Sequence, residues 1–199
     1  PVYFVSSNPH SLPNILSGFA LRQQQALVEY VQREEGPRLL EEWQAIQRGD
    51  PDASRENFLY YVLKKFQQTA AGAQMSATQR AEEAELGISR IANPEIFEIE
   101  AQVLRLSKLR PEWFDPRLLG GEQPLSETEL QALRRSDAVI LNVDYPLGLA
   151  AYNILSKTAE HAGSLQGVYI MGKAASLNGV RGDVMIPGVV HDEHSQNTY

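Results

Sequence analysis

DAVILNVDYPLGLAAYNILSKTAEHAGSLQGVYIM, residues 137–171, is the stretch on which the fold turns. Its opening DAVILNV (137–143) reads as the near-continuous apolar run of a strand covered on both faces. Leu147, Ala151, Ile154, Leu155, Thr158 and Ala162 then recur at three- and four-residue steps, the spacing of one helical face, until Gly163 stops the pattern. GVYIM (167–171) gives a second strand. Strand, helix and strand in about 35 residues make a βαβ unit, whose crossover is right-handed and whose strands are parallel. VMIPGVV (184–190) predicts one more strand, kinked or held at an edge by Pro187.

Working toward the N-terminus, RPEWFDPRLLGGEQPL (110–125) holds three prolines and a glycine pair, which interrupts regular structure and marks a boundary. Ser126 to Arg135 reads as a short helix opened by a Ser126–Glu129 capping box. Before the boundary the periodicity is mainly helical. Asn93-Pro94 starts a helix with a stripe of Ile96, Ile99, Val103 and Leu106. SATQRAEEAEL (76–86) carries a capping-box pattern from Ser76 to Gln79 and so many charges that it reads as a solvated helix. A helix from near Ser54 buries Phe58, Leu59, Val62, Leu63 and Phe66, and another spans 37–48. The first helix, capped by Ser11 with Pro13 in its first turn, aligns Ile15, Leu16, Phe19, Leu27, Tyr30 and Val31. It follows SSNPHS (6–11) and a short strand, Val2 to Val5. The expectation is an α/β protein with a parallel or mixed sheet, divided into a mainly helical region with a leading strand (1–125) and the start of an α/β domain (126–199).

A chain of 199 residues with 43% hydrophobic content can bury a core. Its net charge of -7 argues against general affinity for nucleic acid or anionic membrane, so an anion must be held by local geometry. The absence of cysteine excludes disulfides and thiolate metal sites. No apolar run has the roughly 20 residues of a membrane span, and the reading is a cytoplasmic protein without a cofactor.

Between the strands lies GKAASLNGVRGDVMIP (172–187), with Lys173 and Arg181 as its only cations. Ligands of open α/β sheets bind beyond the carboxyl ends of the strands. Gly172 and the small residues Ala174, Ala175 and Ser176 permit close approach to the backbone, and Lys173 supplies a point charge for an oxyanion. A glycine-rich connection with a solvated Lys173 explains the same residues. Asp144 ends the other parallel strand and faces the same cleft, where a salt bridge to Lys173 is an equal alternative. Ser6, Ser7, Asn8 and His10 form a second candidate loop, before a helix N-terminus that favours an anion, although Ser and Asn also serve as ordinary capping residues there. In HDEHS (191–195), alternate residues of a strand face opposite ways, so no metal site is expected. Asp192 or His194 either borders the ligand cleft or lies at a polar strand end.

GVYIMGKAASLNGVRGDVMIP resembles the central signature of the nucleoside phosphorylase superfamily, through Gly172, Ala174, Leu177, Gly182, Asp183, Val184, Ile186 and Pro187. The resemblance covers about residues 137–195. It implies a phosphorylase-type sheet, a nucleoside, nucleotide or phosphate held at residues 172–176, and cleavage of an N-glycosidic bond by phosphate or water. It also implies a homo-oligomer or association with the remainder of a longer chain. Lys173 stands where the family has a hydroxyl residue, and the family's ribose-binding Glu and base-contacting acid would fall beyond Tyr199. The expectation is therefore the front part of a longer protein, inactive by itself, with no catalytic residue assigned. The alternative is a catalytically silent relative acting as a ligand sensor or a helix-rich interaction module.

Overall fold

A computed structural model describes residues 1–34, 36–91, 99–121, 124–146, 148–172, 179–180 and 183–198. β1 (Val2–Ser6) is followed by α1 (Ser11–Ser17), α2 (Phe19–Arg22), α3 (Gln24–Glu34), α4 (Pro37–Gln47), α5 (Arg55–Gln67) and α6 (Ala73–Glu85). The chain then enters β2 (Ile88–Ile91) and β3 (Ala101–Arg105), passes through α7 (Pro116–Gly120) and α8 (Glu127–Arg135), and forms β4 (Val139–Val143), α9 (Gly148–His161) and β5 (Leu165–Ile170). The five strands make one mixed sheet in the order β2-β3-β4-β1-β5. β1 runs parallel to both β4 and β5, whereas β3 is antiparallel to β4 and to β2.

The α/β class and the parallel β4–α9–β5 unit agree with the sequence, with β1 inserted between the two strands of that unit. β1 places Phe4, Val5 and Ser6 in the interior. Its length matches β4 residue for residue, from Val2 opposite Val139 to Ser6 opposite Val143. The sheet is not divided near residue 125: β1, β2 and β3 precede that point and pair with each other or with β4 and β5.

Two apolar clusters hold the helices. Phe19, Leu27, Val31, Trp43, Phe58 and Leu59 form an all-helical core among α2, α3, α4 and α5, with Trp43 stacked on Phe58 at 5.6 Å between ring centroids. This bears out the stripe assigned to α5, since each of these side chains lies at helical spacing on a face that meets another helix. A second cluster of Leu86, Ile88, Leu104, Leu109 and Phe114 joins one face of the sheet to residues 106–118, with Leu12, Leu16 and Leu133 packed against it.

Several expectations are corrected. The first long helix is three shorter ones: Gly18, in a left-handed conformation (φ 56°), separates α1 from α2, and Gln23 separates α2 from α3. Ser11 does not cap α1; His10 occupies that place without a side-chain bond. α6 starts at Ala73, so Ser76 lies inside it and hydrogen-bonds back to the Gly72 carbonyl instead of forming a capping box. α6 is exposed over most of its length as expected, but its inner face buries Gln79 and Glu83. Residues 101–105 are strand rather than helix, since pairing with β4 and β2 outweighs the short helical stripe that runs through Val103; Ile96 lies outside the described residues. Residues 184–190 form no strand, and Val184 and Ile186 are 86% and 89% exposed, so the apolar run there lacks a sheet to join. The Ser126–Glu129 capping box at α8 is present as expected. Among the described residues, no helix is long and apolar enough to cross a membrane.

Gly18 gives a direct test of the helical break. A Cβ there would sit 2.2 Å from the Trp113 carbonyl oxygen, besides facing the left-handed penalty of about 1–2 kcal/mol. Gly18→Ala should lower unfolding free energy by about 2 kcal/mol or more in urea titrations. An unchanged midpoint would refute this packing.

Candidate functional site

The carboxyl ends of β1, β4 and β5 lie on one edge of the sheet, together with the start of β3 and the end of β2. A buried polar relay organises that edge. The Ser7 hydroxyl donates to Asn142 Oδ1 at 2.7 Å, Asn142 Nδ2 donates to Gln102 Oε1 at 3.4 Å, and Gln102 Nε2 donates to the Pro9 carbonyl at 2.6 Å. All three side chains are almost fully buried. Amides in this setting are retained only when their hydrogen bonds are made, so the relay fixes the path of residues 7–9 across three strands. Asn8 Oδ1 then accepts from the His10 backbone N–H at 2.8 Å, a local turn that sets His10 at the head of α1.

His10 opens into a cleft of about 310 Å³ between this edge and the helices α5 and α6. Lys64 and Tyr60 enter from α5, Arg80 from α6, Arg90 from β2, and Glu100 from the residue before β3. A second cavity of about 470 Å³ adjoins it, sharing Arg80, Arg90 and Glu100. Lys64 and Arg80 make no ion pair with any described residue.

Arg90 is different. Glu83, whose side chain is 2% exposed, accepts from Arg90 Nε at 2.9 Å and from a terminal nitrogen at 3.0 Å, while Gln79 donates to the same carboxylate at 2.7 Å. A two-point pair of this kind locks the guanidinium plane in the wall of both cavities. On the opposite wall, the Tyr60 hydroxyl donates to buried Asp115, which also accepts two guanidinium bonds and one backbone N–H bond from Arg117.

Burial pushes the His10 imidazole below its ordinary value, and the positive charges of Lys64 and Arg90 add to that effect against the weaker pull of Glu100 and Asp144. The ring is therefore neutral at pH 7. Burial also raises the Tyr60 hydroxyl, helped by its bond to Asp115. For Asp115, burial works toward protonation, but the bonds from Arg117 and Tyr60 outweigh it and hold the carboxyl below its usual range.

Of the site residues expected from sequence, His10 lines the cleft and Asp144 lies close enough to act on its ring. Asp144 is tied into the edge through its backbone N–H to the Glu100 carbonyl, 2.9 Å. Ser6 and Asn8 are occupied structurally: the Ser6 carbonyl accepts from Met171 N–H, and Asn8 makes the turn described above. Gly172 is exposed, with no atom of the described residues within 4 Å of where a Cβ would stand. Lys173, Ala174, Ala175, Ser176 and Arg181 lie outside the described residues. Asp192 belongs to a hairpin of β6 (His191–Asp192) and β7 (Asn197–Thr198), where its carboxylate accepts from the backbone of His194 and Ser195 and from the Ser195 hydroxyl. That is a turn-forming role, and His194 is exposed beside it. Among the described residues, no group of three or more His, Cys, Asp or Glu side chains is arranged for a metal ion.

Lys64, Arg80, Arg90 and Glu100 escaped the sequence reading because they come from four separated elements. Asn142 gave a usable signal, as an amide inside an otherwise apolar strand, whereas Gln102 lay in a segment read as helix.

Three measurements probe these groups. Removing Arg90 strands a carboxylate in the interior, whereas removing Glu83 leaves a guanidinium whose side chain is 31% exposed. Arg90→Ala should therefore destabilise more than Glu83→Ala, toward the roughly 3–5 kcal/mol of a broken buried pair, as read by urea unfolding. An NMR titration should find the His10 ring losing its proton below the ordinary midpoint of about 6.5, and Lys64→Ala should move that midpoint up. Because the depressed Asp115 value favours the ionised form in the folded state, its stabilisation is present above about pH 4 and is lost as pH falls further. Asp115→Asn should flatten that acid limb of the stability curve.

No curated protein and no solved structure matches the chain. A family model does match, across residues 1–199, and the chain belongs to that family, DUF6909, a family of unknown function.

Proposed function

We propose that this protein binds a phosphate-bearing ligand of the nucleoside and nucleotide class in the cleft between α5, α6 and the carboxyl edge of the sheet. The observation that carries the reading is the convergence of Lys64 and Arg80, unpaired among the described residues, with Arg90, His10 and Glu100 around one cavity. Two cations on neighbouring helices attract an oxyanion, and the fixed Arg90 offers directional N–H donors. Such a cluster has to be local, because the net charge of -7 repels anions at long range. Neutral His10 can accept or donate a hydrogen bond, and the Glu100 carboxylate can accept bonds from ligand hydroxyls.

A second reading adds turnover. The resemblance of residues 167–187 to nucleoside phosphorylases and the parallel β4–α9–β5 unit support cleavage of an N-glycosidic bond by phosphate or water. Binding without turnover corresponds to a ligand sensor.

Calorimetry with inorganic phosphate and AMP tests the first reading. Lys64→Ala and Arg80→Ala should each weaken AMP by about tenfold or more, equivalent to about 1.4 kcal/mol. Absence of heat with both compounds rejects it. Incubation of the protein with purine nucleosides and phosphate separates the two readings: free base supports turnover, and bound AMP without released base supports sensing.

A further inference from the structure

Resting on the binding reading above, we propose that the cleft recognises the sugar-phosphate part of its ligand, a phosphomonoester of a polyhydroxy compound, and leaves the base unread. The wall chemistry carries this. Among the described side chains lining the smaller cavity, Leu63 is the only aliphatic one and Tyr60 the only carbocyclic ring, and the Tyr60 hydroxyl is already held by Asp115. A nucleobase pocket needs flat apolar surface on which to stack. This cavity instead presents amides, a hydroxyl and charges.

The amides also divide into two sets. Gln67 and Gln79 bond to each other, and Gln79 continues to Glu83, so both serve the wall. Asn14 and Gln68 line the same space with side chains that make no hydrogen bond to a described residue. Unengaged amides, which both donate and accept, suit hydroxyl groups, and Glu100 adds an acceptor that can take two adjacent hydroxyls. Lys64 and Arg80 carry the opposite requirement, a compact multiply charged oxyanion. A small ligand with a phosphate at one end and several hydroxyls at the other meets both demands within about 310 Å³.

The test is calorimetry of the whole chain with inorganic phosphate, ribose, ribose 5-phosphate, adenosine, AMP and UMP. Ribose 5-phosphate should bind at least tenfold tighter than phosphate or ribose, with AMP and UMP within about threefold of it. Arg80→Ala should weaken all phosphorylated compounds tenfold or more. Asn14→Ala and Glu100→Gln should weaken ribose 5-phosphate by a similar factor while leaving inorganic phosphate unchanged, and unaltered circular dichroism would establish that these exposed or half-buried changes leave the fold intact. If AMP binds tenfold tighter than ribose 5-phosphate, or adenosine matches AMP, the base is read and this inference is overturned while nucleotide binding stands. If no phosphorylated compound binds, both are overturned.

Discussion

The structure depends on the pairing of β1 with β4 on one side and β5 on the other. A strand of five residues has little stability by itself. Flanked on both edges, it satisfies its backbone groups and places Phe4 and Val5 in the interior. Because β1 leads the chain and its partners come more than 130 residues later, this one register draws the whole helical region onto the sheet. It also brings the β1 loop, the end of β4 and the start of β3 to one edge.

At that edge the sheet changes from an apolar scaffold into a polar surface. Ser7, Asn142 and Gln102 are buried where hydrophobic side chains would pack without penalty, and they remain because their hydrogen bonds bridge three strands. The opposing wall follows the same logic, with Glu83 buried in α6 and matched by Arg90 from β2. These closed sets of bonds hold rigid walls, while Lys64, Arg80 and Glu100 stand free of ion pairs among the described residues in the cleft they enclose. The contrast with β5 is sharp. Val168, Tyr169 and Ile170 are exposed there, and the segment from Val184 to Val190 is exposed as well.

Much of the framework was legible because it follows periodicity. The stripe of Phe58, Leu59, Val62 and Leu63, the Ser126–Glu129 capping box and the β4–α9–β5 unit each arise from residues near one another in sequence. The errors occur where distant contacts override a local pattern. Residues 101–105 gave a helical stripe but had an open ladder position beside β4. In α6, Glu83 counted as one more surface charge until Arg90 met it seven residues later across a turn. Gly172 to Ser176 combine small residues with one cation, but Lys173 to Ser176 lie outside the described residues, and the charged cleft among the described residues is lined by His10.

The sequence by itself determined the α/β class, the individual helical faces and the amino acids available for chemistry, because those depend on spacing along the chain. The tertiary structure alone decided which of them meet: it set β1 in the middle of the sheet and brought His10, Lys64, Arg80, Arg90 and Glu100 from five segments to one cavity. The physical reason is that strand pairing and charge proximity are set by distances in space, and residues far apart in the chain leave no periodic trace of those distances.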